Sequence, residues 1–164
     1  MRKTRKPAAK KRTRKAGKAV DVLTSGYKFL PHTTDAYIEA FGATFEAALE
    51  NAGLALFETM CEVSSVTHER QDVITVEGAD DLELLYNWLE SLLLKFELER
   101  KVYSKFQISI TKEPRRLGIK AHAYGELFDR KKHGAKVEVK AVTYHRMEVI
   151  RQGRLFVLRF ILDL

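Results

Sequence analysis

The feature that most constrains this chain is a change of period. From Thr44 the apolar residues Phe45, Leu49, Ala52, Leu56 and Met60 recur every three or four positions, and from Asp80 the same is true of Leu82, Leu85, Leu89, Leu92, Leu93 and Phe96. That spacing lines one face of a helix. Elsewhere in the body apolar and polar residues alternate, the period of a half-buried strand. Thr44 suits an N-cap, although Ala47 removes the reciprocal capping box, whereas Asp80 with Glu83 carries both halves of one. Leu84 and Trp88 widen the second stripe, so this helix is deeply buried or docks a partner; deep burial is the commoner case.

The strands are read from alternation and punctuation. Tyr27 to Leu30 ends at Pro31, and in 36–42 Tyr37, Glu39 and Phe41 face one way while Ile38 and Ala40 face the other. Gln71 to Glu77 is rich in β-branched residues. In the last third, Val102, Ser104, Phe106, Ile108 and Ile110 alternate with polar neighbours and Tyr103, followed after Pro114 by Leu117, Ile119, Ala121 and Ala123. Asp129 to Gly134 is a polar loop. Lys136 to Thr143 alternates again, and Met147 to Ile150 leads through a tight Gln152-Gly153 turn into Leu155 to Leu162. The order β-β-α-β-α followed by antiparallel strands predicts an α+β fold, a single domain in which two helices cover one mostly antiparallel sheet.

The net charge of +7 over 164 residues conceals a partition. Residues 1–18 hold ten basic side chains and no acid, leaving 19 basic against 22 acidic side chains beyond them, so the body carries about −3. Residues 1–26 therefore read as a basic, disordered tail that repels itself and has too little apolar surface to fold, and residues 27–164 as the domain. No apolar run reaches the roughly 18 residues of a membrane span, and no apolar segment follows the basic start as a secretory signal requires. Cys61 is the sole cysteine, which excludes an internal disulfide and fits a reducing compartment.

There is no GxxxxGK[ST] phosphate loop, GxGxxG, GxSxG or HExxH, which argues against the common nucleotide-hydrolysing and hydrolase classes. Three segments stand out instead. His32-Thr33-Thr34-Asp35 is a tight polar junction between two strands; on local sequence its oxygens satisfy turn amides and His32 packs on the rim. In Lys140-Ala141-Val142-Thr143-Tyr144-His145, Lys140 reads as a solvated strand lysine and His145 as a polar terminus. Phe160-Ile161-Leu162-Asp163-Leu164 carries an apolar strand to the chain's end, which would hold the Asp163 side chain beside the Leu164 α-carboxylate. Fixed like charges raise one another's pKa unless a cation lies between them. With Asp35 close by, they would form a hard, all-oxygen site.

These three segments, in this order, resemble the archease family. Its H-T-A-D, K-A-[IV]-T-x-H-like and Asp-aliphatic motifs correspond to 32–35, 140–145 and 163–164, and Ala121-His122-Ala123-Tyr124-Gly125-Glu126 and Lys131-Lys132-His133 match as well. The resemblance covers about residues 27–164 and departs at Thr34, where the family usually has alanine. It implies a non-enzymatic activator of an RtcB-type RNA ligase in tRNA splicing, which promotes ligase guanylylation and multiple turnover. It also implies a divalent metal, calcium first with magnesium or manganese as alternatives, held by Asp35, Asp163 and the Leu164 carboxylate. His32 is then a metal neighbour, and Lys140 and His145 contact phosphate or the partner. The partner reading is the ligase, with tRNA reached indirectly or through the basic tail, no membrane, and a cytoplasmic or, in a eukaryote, nuclear place. Three alternatives remain: an RNA-binding accessory protein acting through its tail, a stand-alone metal-dependent phosphoesterase, and a chaperone using the second helix.

Overall fold

A computed structural model describes residues 24–164, so the predicted tail, apart from its last three residues, lies outside the described residues. Strands β1 (Gly26–Leu30) and β2 (Ala36–Gly42) precede helix α1 (Phe45–Met60) and a 3-10 turn (Val63–Ser65). Strand β3 (Arg70–Gly78), helix α2 (Asp81–Glu99), and strands β4 (Lys101–Glu113), β5 (Arg116–Leu127), β6 (Ala141–Gln152) and β7 (Leu155–Asp163) follow. The fold is α+β with every strand pair antiparallel.

The expected single sheet is divided in two. One runs β1-β2-β7-β6 and the other β3-β5-β4. The division follows from the helices: α1 packs against β2 of the first sheet and β4 of the second, and α2 against β6 and β3. Both sheets thereby bury their apolar faces on the same pair of helices. Ile38, Ala40, Leu158, Phe160 and Leu162 come from one, Val102, Phe106, Ile119, Ala121 and Ala123 from the other.

Local chemistry fixes the helices. Thr44 caps α1, its hydroxyl accepting from Ala47 N–H at 3.1 Å. Asp80 caps α2 by accepting from Glu83 N–H at 2.8 Å, while the Glu83 carboxylate reaches back to Ala79 N–H at 2.6 Å, one residue beyond the usual box. Trp88 is fully buried, and its indole N–H donates to the Leu49 carbonyl at 2.9 Å, tying the helices together. The deep-burial reading of Leu84 and Trp88 is correct; Leu82, placed on the same stripe, is 39% exposed at the helix start.

Three strand expectations shift. Residues 136–140 are irregular, because the free carbonyls at the end of α1 take the first two amides: Lys136 N–H donates to Met60 and Val137 N–H to Thr59. The β6–β7 hairpin turns on Gly153-Arg154, not Gln152-Gly153; Gln152 pairs with Leu155, and Gly153 takes the first loop position with φ +62°. Tyr103 is buried beside Val102, because a bulge at Ser104 breaks the alternation.

Gly125 sits opposite that bulge. A Cβ there would lie 1.8 Å from the Val102 carbonyl oxygen. Gly125→Ala is expected to cost at least about 1–3 kcal/mol, the range for overpacking, read as a lower urea midpoint with an unchanged slope. An unchanged midpoint would mean that β4 and β5 separate freely at this point.

Candidate functional site

Register builds the site. β2 and β7 pair Ala36 with Leu162, so the next step along both chains sets Asp35 beside Asp163. β6 and β7 pair Ala141 with Asp163, and the ladder continues one residue further, with Lys140 N–H donating to the Asp163 carbonyl at 2.8 Å. The Lys140 ammonium then donates to a main-chain oxygen of Leu164, also at 2.8 Å. Residues separated by more than 120 positions thus meet at one end of the four-stranded sheet. Asp35 and Asp163 lie on the face opposite to that of Ile38, Ala40 and Leu162, where they do not compete with the core.

The β1–β2 junction shapes the other half. Asp35 N–H donates to His32 Nδ1 at 3.2 Å, and the Thr34 hydroxyl donates to Asp35 Oδ2 at 3.0 Å. Since a backbone N–H can only donate, His32 Nδ1 is an acceptor and its ring proton belongs on Nε2. The 3.6 Å approach of Nδ1 to Asp35 Oδ2 is therefore no ion pair while that bond stands. It also spends the Nδ1 lone pair, which leaves His32 a neighbour that orders the turn. The Thr34 hydroxyl occupies one side of the Asp35 carboxylate.

His145 lies apart from this group. Between Thr143 and Glu148 the β6–β7 register slips, and residues 144–147 bulge from the ladder with Arg146 at φ +54°. His145 is exposed on that bulge, its N–H donating to the Thr143 hydroxyl at 2.9 Å. It is neither at a strand end, as its sequence position suggested, nor hydrogen-bonded to the carboxylates.

Whether these residues suit a metal can be tested on their donors. Asp35 and Asp163 offer carboxylate oxygens and Leu164 a main-chain oxygen, a hard set of the kind that calcium, magnesium and manganese accept. Among the described residues no three His, Cys, Asp or Glu side chains form a metal-holding group, so two acidic side chains and the Leu164 main-chain oxygen make up the set. Lys140 already sits on Leu164, supplying a fixed positive charge at the rim. Cys61 offers nothing, since burial pushes its thiol up to about 11.

Residues 27–164, which include all of these positions, match the archease protein family. The chain belongs to the archease family. An archease from Sulfurisphaera tokodaii is 37% identical over 84% of this chain and 98% of its own length, and one from Pyrococcus abyssi is 41% identical over 72% and 83%. The solution structure of Methanobacterium thermoautotrophicum protein 1598 superposes with a TM-score of 0.75 at 34% identity, covering 85% of this chain and 99% of that one. A crystal structure of an archease, possible chaperone, from Thermotoga maritima shares the fold at 18% identity with a TM-score of 0.54.

Two arrangements in this archease had no role assigned by its sequence. Tyr144, on the bulge, stacks on Tyr86 of α2 with centroids 4.2 Å apart and planes 5° apart. The loop at 129–134 is a lock. His133 is fully buried, its Nδ1 accepting from Asp129 N–H at 2.8 Å, so that Nε2 carries the proton and donates to Glu126 Oε1 at 3.1 Å. Glu126 also accepts from Thr67 N–H at 2.6 Å and from the Lys132 ammonium at 2.6 Å. Burial alone would raise the Glu126 pKa, but the bonds from Lys132, Thr67 and His133 outweigh it and hold the carboxyl down to about 2. The sequence signal was the matching motifs at 121–126 and 131–133. What it lacked was any sign that they touch.

Proposed function

We propose that the cluster at the end of β7 binds a divalent cation and that, through it, this archease activates an RtcB-type RNA ligase in tRNA splicing. The observation that carries the proposal is the convergence of Asp35, Asp163, Lys140 and the Leu164 oxygen on one sheet end. Asp35 and Asp163 would hold the ion, together with the Leu164 oxygen, which is a carboxylate if the chain ends there. When bound, such an ion neutralises and bridges phosphate oxygens.

The protein's own residues do the rest. The Lys140 ammonium is a point charge for phosphate, already oriented by its bond to Leu164. His32 and Thr34 order the turn that presents Asp35. The exposed bulge with Tyr144 and His145 offers the ligase a surface to grip. In this reading the chain is an accessory protein in the compartment of its ligase, cytoplasmic or nuclear, and promotes formation of the guanylylated ligase histidine and multiple turnover. It reaches tRNA through the ligase or the basic segment at 1–26. Among the described residues no helix is long and apolar enough to cross a membrane.

The test is guanylylation of a purified cognate ligase by GTP and manganese, with and without this protein. Faster labelling and many ligations per ligase are expected. Labelling that this protein does not change sinks the proposal.

A further inference from the structure

A second concavity, which shares no lining residue with the carboxylate cluster, lies where the end of α2 meets the loop after β5. Its volume is about 320 Å3, and Met60, Phe96, Arg100, Phe128, Arg130 and Lys136 contribute to its lining, with Glu138 at one side. That volume is at the lower end of the roughly 300–1,000 Å3 of small-ligand sites.

Arg100 is the residue that gives the cavity its chemistry. It follows α2 with φ +54°, a left-handed position that glycine or asparagine takes at little strain. Arg100 N–H donates to Phe96 at 2.9 Å, and Phe128 N–H donates to the Arg100 carbonyl at 2.6 Å, so its backbone is pinned on both sides. Its guanidinium lies over the Phe96 ring at 4.6 Å and the Phe128 ring at 5.2 Å. Phe128 in turn stacks on the buried His133 at 5.7 Å, so the aromatic floor is anchored in the Glu126 lock. The two rings stand at 70° to each other, so the guanidinium is seated in the corner between them.

The charges around it are unequal. Lys136 is neutralised by Glu58 and Glu62. Among the described residues neither Arg100 nor Arg130 is in an ion pair. The cavity therefore combines two uncompensated guanidinium groups, one of them seated against two aromatic rings, with one carboxylate acceptor. Guanidinium planes stack on nucleobases and their N–H edges pair with phosphate oxygens, and Glu138 can accept from a base N–H.

We infer that this cavity binds a single nucleotide, with the base stacked on the Arg100 guanidinium and the phosphate held by Arg130. The site shares no lining residue with the carboxylate cluster and does not depend on the metal reading. Free nucleotide and an unpaired nucleotide of RNA share this chemistry.

The test is calorimetric titration of the full chain with AMP, inorganic phosphate and the trinucleotide ApApA, with each result compared between variants that carry the same N-terminal segment. AMP is expected to bind at least about tenfold more tightly than phosphate, since stacking on one base contributes roughly that factor or more. Arg100→Gly suits the left-handed backbone, so its unfolding midpoint should hold while AMP affinity falls about tenfold. Arg100→Lys keeps the charge without the plane and should retain phosphate binding while losing the preference for AMP. ApApA binding much more tightly than AMP, with the gain lost in Arg100→Gly, assigns the site to RNA; equal affinities assign it to the free nucleotide. AMP binding no more tightly than phosphate, or unchanged by Arg100→Gly, overturns the inference.

Discussion

Asp163→Ala should reduce ligase stimulation to the level seen without this protein while leaving the fold intact. Asp163 is exposed at the end of β7, and what holds the strand there is its backbone carbonyl, which accepts from Lys140 N–H and survives the substitution. Exposed substitutions of this kind stay within about 0.5 kcal/mol in stability, so the urea midpoint serves as the control. The functional loss is large because Asp163 is one of only two acidic side chains at the cluster, and a hard cation that loses a carboxylate loses both charge and geometry. Asp35→Ala should behave alike, and a chelator added to the wild-type protein should reproduce both. Normal stimulation by Asp163→Ala, at an unchanged midpoint, would separate this archease's activity from the cluster altogether.

Glu126→Ala should be the most destabilising single truncation outside the apolar core, with an expected loss of about 1–3 kcal/mol, the usual consequence of leaving a buried donor unsatisfied. The carboxylate is 7% exposed and accepts from Thr67, Lys132 and His133; without it the fully buried His133 keeps an Nε2 proton with no acceptor. Glu126→Gln should recover part of the loss, because its carbonyl still serves Thr67 and His133. The pH dependence has a definite sign. The folded-state pKa is lowered from 4.5 to about 2, so the stabilisation is fully present above pH 4.5 and is lost as pH falls through about 2. Urea denaturation of wild type and Glu126→Ala between pH 7 and 2 should show curves that converge on the acid side. A gap that stays constant with pH, or one below about 1 kcal/mol, would show that the carboxylate is not what secures the loop.

The two prediction targets differ in how far the sequence announced them. Helices were plain because a 3.6-residue period needs no partner to be seen, and both caps, Thr44 and Asp80, act locally. Local too was the motif at 32–35, correctly read as a polar junction. The division into two sheets was not legible, since alternation states that a strand has one buried face but not which strand lies beside it. Residues 136–140 alternate as well as any strand, yet the amides of Lys136 and Val137 go to the end of α1, a competition between distant groups that no local pattern records. The meeting of Asp35 with Asp163 was expected through a family resemblance; its physical cause is the β2–β7 register, fixed by Ile38 and Ala40 against Phe160 and Leu158. His145 was misplaced because a bulge at 144–147 moves it out of the ladder, and bulges leave only weak traces in composition.

The placement of the helices against both sheets bears on how the molecule comes apart. Neither sheet has an apolar partner of its own, since α1 meets β2 and β4 and α2 meets β3 and β6. Peeling away one sheet strips the same helices that the other rests on, so a half-open state would expose apolar surface on both remaining layers without keeping either intact. Such a chain has no stable subunit smaller than the whole domain, and its unfolding belongs to one cooperative event. The carboxylate cluster, formed one step beyond the last residue pair of the β2–β7 ladder, fares differently: fraying at a ladder's end needs no such event. Opening and closing of the Asp35–Asp163 pair can therefore proceed on a rim whose foundation stays closed.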